Sequence, residues 1–467
     1  MRILLIESGV MAPERFVYQC YPPHGLMYLA SFLRSRRPGH ELRLFDMMAE
    51  RARPEDVEGV LDSFHPELVA IHAMSFQASC LHALAARIKA RDPRCVVAVG
   101  GPHPSAAPEA VLKDRNVDVA GLGEGEETFE EIVARREEGR DLAGIPGTAV
   151  ARAGAIVRGP ERAYIEDLDR LPFPAWDLVE LEKYFTDVML TQNDITWRKE
   201  VTTIFTSRAC PFGCIFCHNM FGKKFRARSV ENVLDEMETL VRGHGIRELH
   251  LIDDCFNFSA ERALSILNGI LERGLDLKLA FPNGIRGDRL PDLLLDTMKR
   301  AGVYKINIGI ESGSPRVQKI IRKGLSLDAI RDGVARAAAR GIFTHGFFMM
   351  GFPDETEDDL NQTIEFARSS DLHTAGFALL SPFPGTEVYR MAEQAGRIVN
   401  FDPDDTSYMR ITVNLTAVDD ATLLGMHKLA HWKFYGSPKR IYRIMRTMPH
   451  VSDFFKVGAK HFRLKFI

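Results

Sequence analysis

No stretch of this 467-residue chain comes near the roughly 18 apolar residues in succession that a membrane-crossing helix needs. The opening residues, Met1-Arg2-Ile3-Leu4-Leu5-Ile6-Glu7, lack the apolar core and small-residue cleavage site of a secretory leader and read as a short buried strand. Cysteine is scarce, seven in all with three clustered, which argues against a disulfide framework and for a reducing, cytoplasmic setting. An excess of charge is also missing: the net value is −3, which points to no polyanionic partner and no nucleic acid. With 45% hydrophobic and 26% charged residues, the chain can build two large domains or three smaller ones, each with its own core.

What the chain does have is Thr206-Ser207-Arg208-Ala209-Cys210-Pro211-Phe212-Gly213-Cys214-Ile215-Phe216-Cys217-His218-Asn219, a C-x3-C-x2-C spacing directly after an apolar run at 201–205. Three thiolates on one loop at a strand end can hold three corners of a four-iron cluster. Such clusters normally take four cysteines, and the remaining Cys20, Cys80, Cys95 and Cys255 are scattered singly. One iron is then left open for a ligand that is not protein. The competing reading is a zinc site of the three cysteines with His218. Zinc modules usually add a second Cys/His pair about 12 to 20 residues on, and none follows Cys217 within that reach.

Residues 1–150 alternate short apolar runs, near 2–7, 41–45, 68–72, 96–100 and 118–121, with amphipathic stretches. That pattern predicts a Rossmann-like, doubly wound parallel sheet covered on both faces. Ligands of such sheets bind beyond the carboxyl ends of the strands. Here those ends carry Ala73-Met74-Ser75, Gly100-Gly101-Pro102-His103-Pro104 and Gly121-Leu122-Gly123-Glu124-Gly125-Glu126. Glycines at these places let a backbone approach a large flat ligand, or serve as ordinary turns.

A second block, 195–395, repeats βα units with strands expected near 202–206, 248–252, 278–281, 305–310, 344–350 and 376–380. Six units suit an open, partial (β/α)6 relative of the TIM barrel, with its chemistry at the carboxyl-terminal face. Polar groups follow the strands: Asp253-Asp254, Asn283-Gly284-Ile285-Arg286, Glu311-Ser312-Gly313-Ser314 and Gly351-Phe352-Pro353-Asp354-Glu355-Thr356. Each on its own is equally a helix cap or turn; four on one face point to a site. Cys255, after the Asp pair, is either a small buried hydrophobe or a cavity-facing thiol.

The cysteine loop, with the aromatic Phe216 before its third cysteine, resembles the radical S-adenosylmethionine (SAM) superfamily, in which SAM's amino and carboxylate groups occupy the open iron. Gly-Gly-Pro-His-Pro and the later Val-Asp-Val-Ala-Gly-Leu-Gly-Glu-Gly-Glu are similar to the cobalamin-binding domain that precedes it in one branch. Residues 21–30 resemble that domain's first helix, and residues 168–176 the linker, taken as 151–194. The resemblance implies three cofactors: a 4Fe-4S cluster on Cys210, Cys214 and Cys217, SAM, and cobalamin. It implies SAM contacts at Phe216, Asp253, Asp254, Glu311, Ser312, Lys323 and Phe352, and cobalamin contacts at Ser75, Gly100, Gly101, His103, Gly123, Glu124, Gly125 and Glu126. One departure concerns cobalt. The nearest analogue of the ligand motif D-x-H-x-x-G is Asp46-Met47-Met48-Ala49-Glu50-Arg51, with no imidazole, so a weak or absent lower ligand is expected.

The region 396–467 is expected to be mainly helical. Between His431 and Ile467 it is basic and aromatic, which suits a solvated cap, a peripheral membrane contact or the binding of a negatively charged substrate. The resemblance implies a cobalamin-dependent C-methyltransferase acting on an unactivated carbon of a small metabolite, lipid or pigment. It would draw electrons from an external flavodoxin or ferredoxin. A cyclisation, ring contraction or rearrangement with the same cofactors is the alternative, and a non-catalytic sensor would have no use for a SAM site.

Overall fold

Runs that are apolar at every position, such as 3–6 and 68–71, are stable only in strands covered on both faces, and the computed structural model places them there. It describes residues 1–11, 20–185, 196–217, 220–397 and 410–448. The chain divides into two compact units, one built mainly on residues 1–184 and the other mainly on residues 185–467.

In the first unit, β1 (Arg2–Glu7), β2 (Glu41–Asp46), β3 (Leu68–His72), β4 (Val96–Gly100) and β5 (Val119–Gly121) run parallel in the order β2-β1-β3-β4-β5. Alternate side chains serve opposite faces. Ile3 and Leu5 share a core with residues of the helices His24–Arg36 and Glu126–Glu137, while Leu4 and Ile6 pack with Val57–Phe64 and Ala78–Arg91. The expected strands are all present. One feature differs: where a linker is expected from residue 151, β6 (Thr148–Arg152) and β7 (Ala155–Arg158) form an antiparallel hairpin that extends the sheet. Its turn, Ala153-Gly154, has positive φ at both residues, the geometry of a tight hairpin.

The second unit contains β8 (Val201–Ile204), a small antiparallel ladder of β9 (Ser207–Arg208) with β10 (Arg226–Ala227), and then β11 (Glu248–Leu251), β12 (Lys278–Ile285), β13 (Val303–Glu311), β14 (Phe343–Met350) and β15 (Thr374–Leu379). Apart from the ladder, these strands form one six-stranded parallel sheet in sequence order, β8-β11-β12-β13-β14-β15. Helices at Val230–His244, Ala260–Glu272, Asp292–Arg300, Leu327–Ala339 and Glu357–Ser369 make the crossovers. The cysteine loop lies between β9 and β10.

Two helices, Asp420–Tyr435 and Pro438–Thr447, come after the sheet. Part of the basic character here is internal. Arg440 is buried, its guanidinium donates to the carbonyls of Ala367, Arg368, Ser370 and Leu372, and it lies 3.6 Å from the centroid of the Phe434 ring. It thereby closes the carboxyl end of Glu357–Ser369, and burial lowers its pKa only to about 10, which leaves it charged. Phe454, Phe455, Phe462 and Phe466 lie outside the described residues. Among the described residues no helix is long and apolar enough to cross a membrane.

Candidate active site

Asp253 determines how the chain enters the cysteine loop. Its carboxylate is fully buried after β11 and accepts from the backbone N–H groups of Thr206 (2.6 Å) and Ser207 (3.2 Å) and from both hydroxyls. Burial raises its pKa against those bonds. The Arg262 guanidinium holds the same turn through the Thr206 carbonyl at 2.7 Å. Asp253 is therefore spent on the loop and does not face a ligand. Asp254 is solvent-accessible, and surrounding protein together with the charge of Asp253 lifts its pKa to about 6.

Cys217 has the same character, accessible yet pushed up to about 12 by the protein around it and then by the other thiols. Burial also raises Cys214, with Lys323 opposing. Cys210 goes the other way, down to about 6, chiefly through the Cys255 thiol beside it. Cys255, buried, is held up by the same neighbour and by burial. Its nearness to Cys210 is invisible in the sequence, where it stands alone. Among the described residues no three His, Cys, Asp or Glu side chains are grouped to hold a single metal ion, and His218 lies outside those residues. Three thiols on one loop fit the separate corners of a multi-iron cluster better than one zinc.

Next to the thiols, Glu311 ends β13 with φ +68, a left-handed conformation that a non-glycine residue adopts at some cost. Its carboxylate pairs with the Lys323 ammonium, and both side chains are largely buried. Gly309 leaves room for the pair, since a Cβ there would fall 2.7 Å from Lys323 Nζ. The ammonium also stands 5.9 Å from the centroid of the Phe216 ring, which in turn packs on Phe352 with centroids 5.5 Å apart. Phe216, Glu311, Lys323 and Asp254 thus offer a flat apolar surface and charges of both signs beside the cysteines. Phe352 and Ser312 correct the sequence expectation. Phe352 is fully buried behind Phe216 in an apolar cluster with Ile215 and Val317, and the Ser312 hydroxyl is bound to Thr363 at 2.9 Å. Both support the site from behind.

Two residues without an assigned role in the sequence hold these parts together. Arg286, at the end of β12, donates to the carbonyls of Lys323 and Gly324, both at 2.9 Å, and its guanidinium lies 4.1 Å from the centroid of Phe212 in the cysteine loop. Glu355 accepts from the N–H groups of Gly351 (2.6 Å) and Phe352 (3.1 Å), and its burial raises its pKa to about 7. Only their place at strand ends marked them in the sequence.

In the first unit, Gly100, Gly101, Gly123 and Ser75 lie at the carboxyl edge of the sheet, and a Cβ on Gly100 or Gly123 would meet nothing within 4 Å. A large ligand can therefore approach the backbone there. Ser105 links two of the loops, accepting from Gly123 N–H at 3.1 Å and donating to the Gly101 carbonyl at 2.8 Å. The other candidates are turned to the protein's own structure. Glu124 accepts from the N–H of Ile165 at 2.7 Å, and Glu126 is buried in the first turn of its helix. A Cβ on Gly125 would fall 3.0 Å from Leu29, and His103 is buried and held neutral, down to about 4. Asp46 caps its own short helix through the N–H groups of Met48 and Ala49.

The chain is similar to known proteins. The Radical SAM superfamily model matches residues 204–367 and the B12 binding domain model residues 16–133. An uncharacterized methyltransferase of Pyrococcus horikoshii is 33% identical over 84% of this chain and 83% of its own. The cytidylyl-2-hydroxyethylphosphonate methyltransferase of Streptomyces wedmorensis is 30% identical over 87% and 84%. An anaerobic magnesium-protoporphyrin IX monomethyl ester cyclase of Rubrivivax gelatinosus is 25% identical over 91% and 75%. Among solved structures, the radical SAM methyltransferase TsrM of Kitasatospora setae, with cobalamin and a 4Fe-4S cluster bound, has the same fold: TM-score 0.70, 20% identity, 95% of this chain and 90% of that one.

Proposed function

Since the chain belongs to the Radical SAM superfamily, in the branch that carries an amino-terminal B12 binding domain, we propose that it is a cobalamin-dependent methyltransferase that methylates an unactivated carbon of a small molecule, a lipid or a pigment. The observation that carries this reading is the match to two methyltransferases over more than four fifths of both chains. Bound SAM would supply, on one-electron reduction, a radical able to take hydrogen from such a carbon, and cobalamin would supply the methyl group. Cys210, Cys214 and Cys217 hold the cluster. Lys323, kept in place by Glu311 and by Arg286 under its loop, meets the carboxylate of SAM, Asp254 meets its ammonium, and Phe216 gives the adenine a flat surface. Fixing these groups beforehand converts a meeting of several reactants into one bound geometry. Residues 1–150 hold the corrin at the glycine edge, residues 195–395 hold the cluster and SAM, and an external flavodoxin or ferredoxin delivers the electron.

The cyclase relatives favour one other reading, a ring-forming reaction with the same cofactors. Product stoichiometry separates the two. Methyl transfer consumes one SAM to recharge the corrin and one for the radical, so S-adenosylhomocysteine and 5′-deoxyadenosine should appear in equal amounts. Deoxyadenosine alone, with substrate consumed, would favour cyclisation.

A further inference from the structure

A helix on a protein surface normally turns its apolar stripe inward, and the two helices after the second sheet partly invert that rule. Pro438–Thr447 buries the cation Arg440, only 3% exposed, and leaves Ile441, Tyr442 and Met445 exposed, Tyr442 by 61%. Asp420–Tyr435 buries His427 and leaves out Leu424 and Trp432, the latter 71% exposed. These are five of the eleven large hydrophobic side chains exposed among the described residues, so the exposure is concentrated here. Their spacing makes faces of them: Leu424, Lys428 and Trp432 recur every four residues, and Ile441, Tyr442 and Met445 fall within about one turn. Lys428, Lys433, Lys439 and Arg446 are exposed on the same helices, and Pro438–Thr447 holds no acidic residue.

Other residues already hold both helices in place. Phe434 packs on Phe377 of β15, and Ile444 on Phe343 at the start of β14. Thr447 Oγ1 lies 3.1 Å from His373 Nε2, just before β15, so Pro438–Thr447 covers the amino ends of these strands, opposite the carboxyl ends at which Asp254 and Glu311 lie. The outward residues are thus free for a partner. We propose that they form the surface by which the protein rests on an anionic lipid bilayer. Trp432 and Tyr442 join an apolar body to a polar tip and suit the headgroup level, Leu424, Ile441 and Met445 suit the acyl boundary, and the lysines reach lipid phosphates. A second copy would set the same lysines against each other. Residues 449–467, outside the described residues, carry Lys456, Lys460, Arg463 and Lys465 against Asp453, so as a cover they would repeat the same charge. A nucleic acid could use the cations and the rings but offers nothing to the three aliphatic side chains. A bilayer at this end does not cover the strand ends that carry the site.

The test sediments the full, cluster-containing chain with two kinds of vesicle, phosphatidylcholine alone and phosphatidylcholine mixed with phosphatidylglycerol. Binding is expected to the mixed vesicles only, and should weaken as salt is raised. A lysine near an anionic surface strengthens binding roughly fivefold, so Lys428→Gln combined with Lys439→Gln should weaken it about 25-fold. Trp432→Ser combined with Tyr442→Ser should weaken it by about tenfold or more. Because all four side chains are exposed, both double variants should keep the iron content and far-ultraviolet circular dichroism of the wild type. Mixed vesicles of brominated lipid should quench the tryptophan fluorescence, and Trp432→Phe should remove most of that quenching. No binding to mixed vesicles at low salt overturns the proposal, as does equal binding to neutral vesicles or binding that both double variants leave unchanged. Without vesicle binding, a wild-type dimer in sedimentation velocity that the Trp432 and Tyr442 pair breaks would assign the surface to a second copy, and a DNA duplex bound by the wild type and lost by the same pair would assign it to nucleic acid; either overturns it.

Discussion

The thiol of Cys255 stands beside Cys210 and favours its thiolate, so that the strand end after β11 reaches the first cysteine of the cluster loop. Hydrogen bonds to sulfur are among the levers that set a cluster's potential, since they stabilise the reduced, more negative state. Cys255→Ala should therefore keep its iron and sulfide while its midpoint potential, followed by spectroscopic redox titration, moves to a more negative value. Cys214→Ala should lose the cluster. Equal iron loss in both variants would make Cys255 a ligand in its own right.

Removing the ammonium in Lys323→Met would delete the charge-assisted contact to SAM proposed for it, and leaves the largely buried Glu311 carboxylate unpaired. A hydrogen bond to a charged group contributes about 1.5–3 kcal/mol, so the dissociation constant for SAM should rise roughly 10- to 100-fold. Anaerobic calorimetry against SAM, with iron content as the control, measures this.

Glu355 gives a pH prediction. Its pKa is raised from 4.5 to about 7, chiefly by burial. The fold thus favours the protonated carboxyl. The stability it contributes is complete below pH ~4.5 and is lost as the pH rises through ~7, a difference of about 3 kcal/mol. Glu355→Gln keeps an acceptor for Gly351 and Phe352 without the charge. Relative to the wild type, its unfolding free energy in urea should gain by about that amount between pH 4.5 and pH 8.

Gly101 has φ +101, and a Cβ there would collide with the His72 ring. Gly101→Ala should destabilise the amino-terminal unit by at least about 1–2 kcal/mol before any corrin is added. The loss should show in denaturant unfolding of cofactor-free protein. A bulky residue at Gly101 therefore tests the protein's own packing as much as the approach of a ligand.

The parallel strands were legible because each is an apolar run that only a doubly covered sheet can bury, as residues 68–71 and 96–99 show. The hairpin of β6 and β7 was not, because its second strand is only four residues long and, though Ala155, Ile156 and Val157 are apolar, mostly exposed. The cysteine loop could be read from spacing alone. Asp253 and Asp254 look equivalent in sequence; only the fold shows that the first is consumed by Thr206 and Ser207 while the second stays accessible. Cys255 beside Cys210 is a contact between distant segments, which no local pattern encodes.

Methyl transfer by a radical SAM enzyme is tested most directly by incubating the reduced, cobalamin-loaded protein anaerobically with methyl-deuterated SAM and candidate metabolite extracts, and reading product masses. The predicted result is a product carrying one deuterated methyl group in place of a hydrogen, absent with Cys214→Ala. A product that forms with 5′-deoxyadenosine but contains no deuterated methyl group would contradict it.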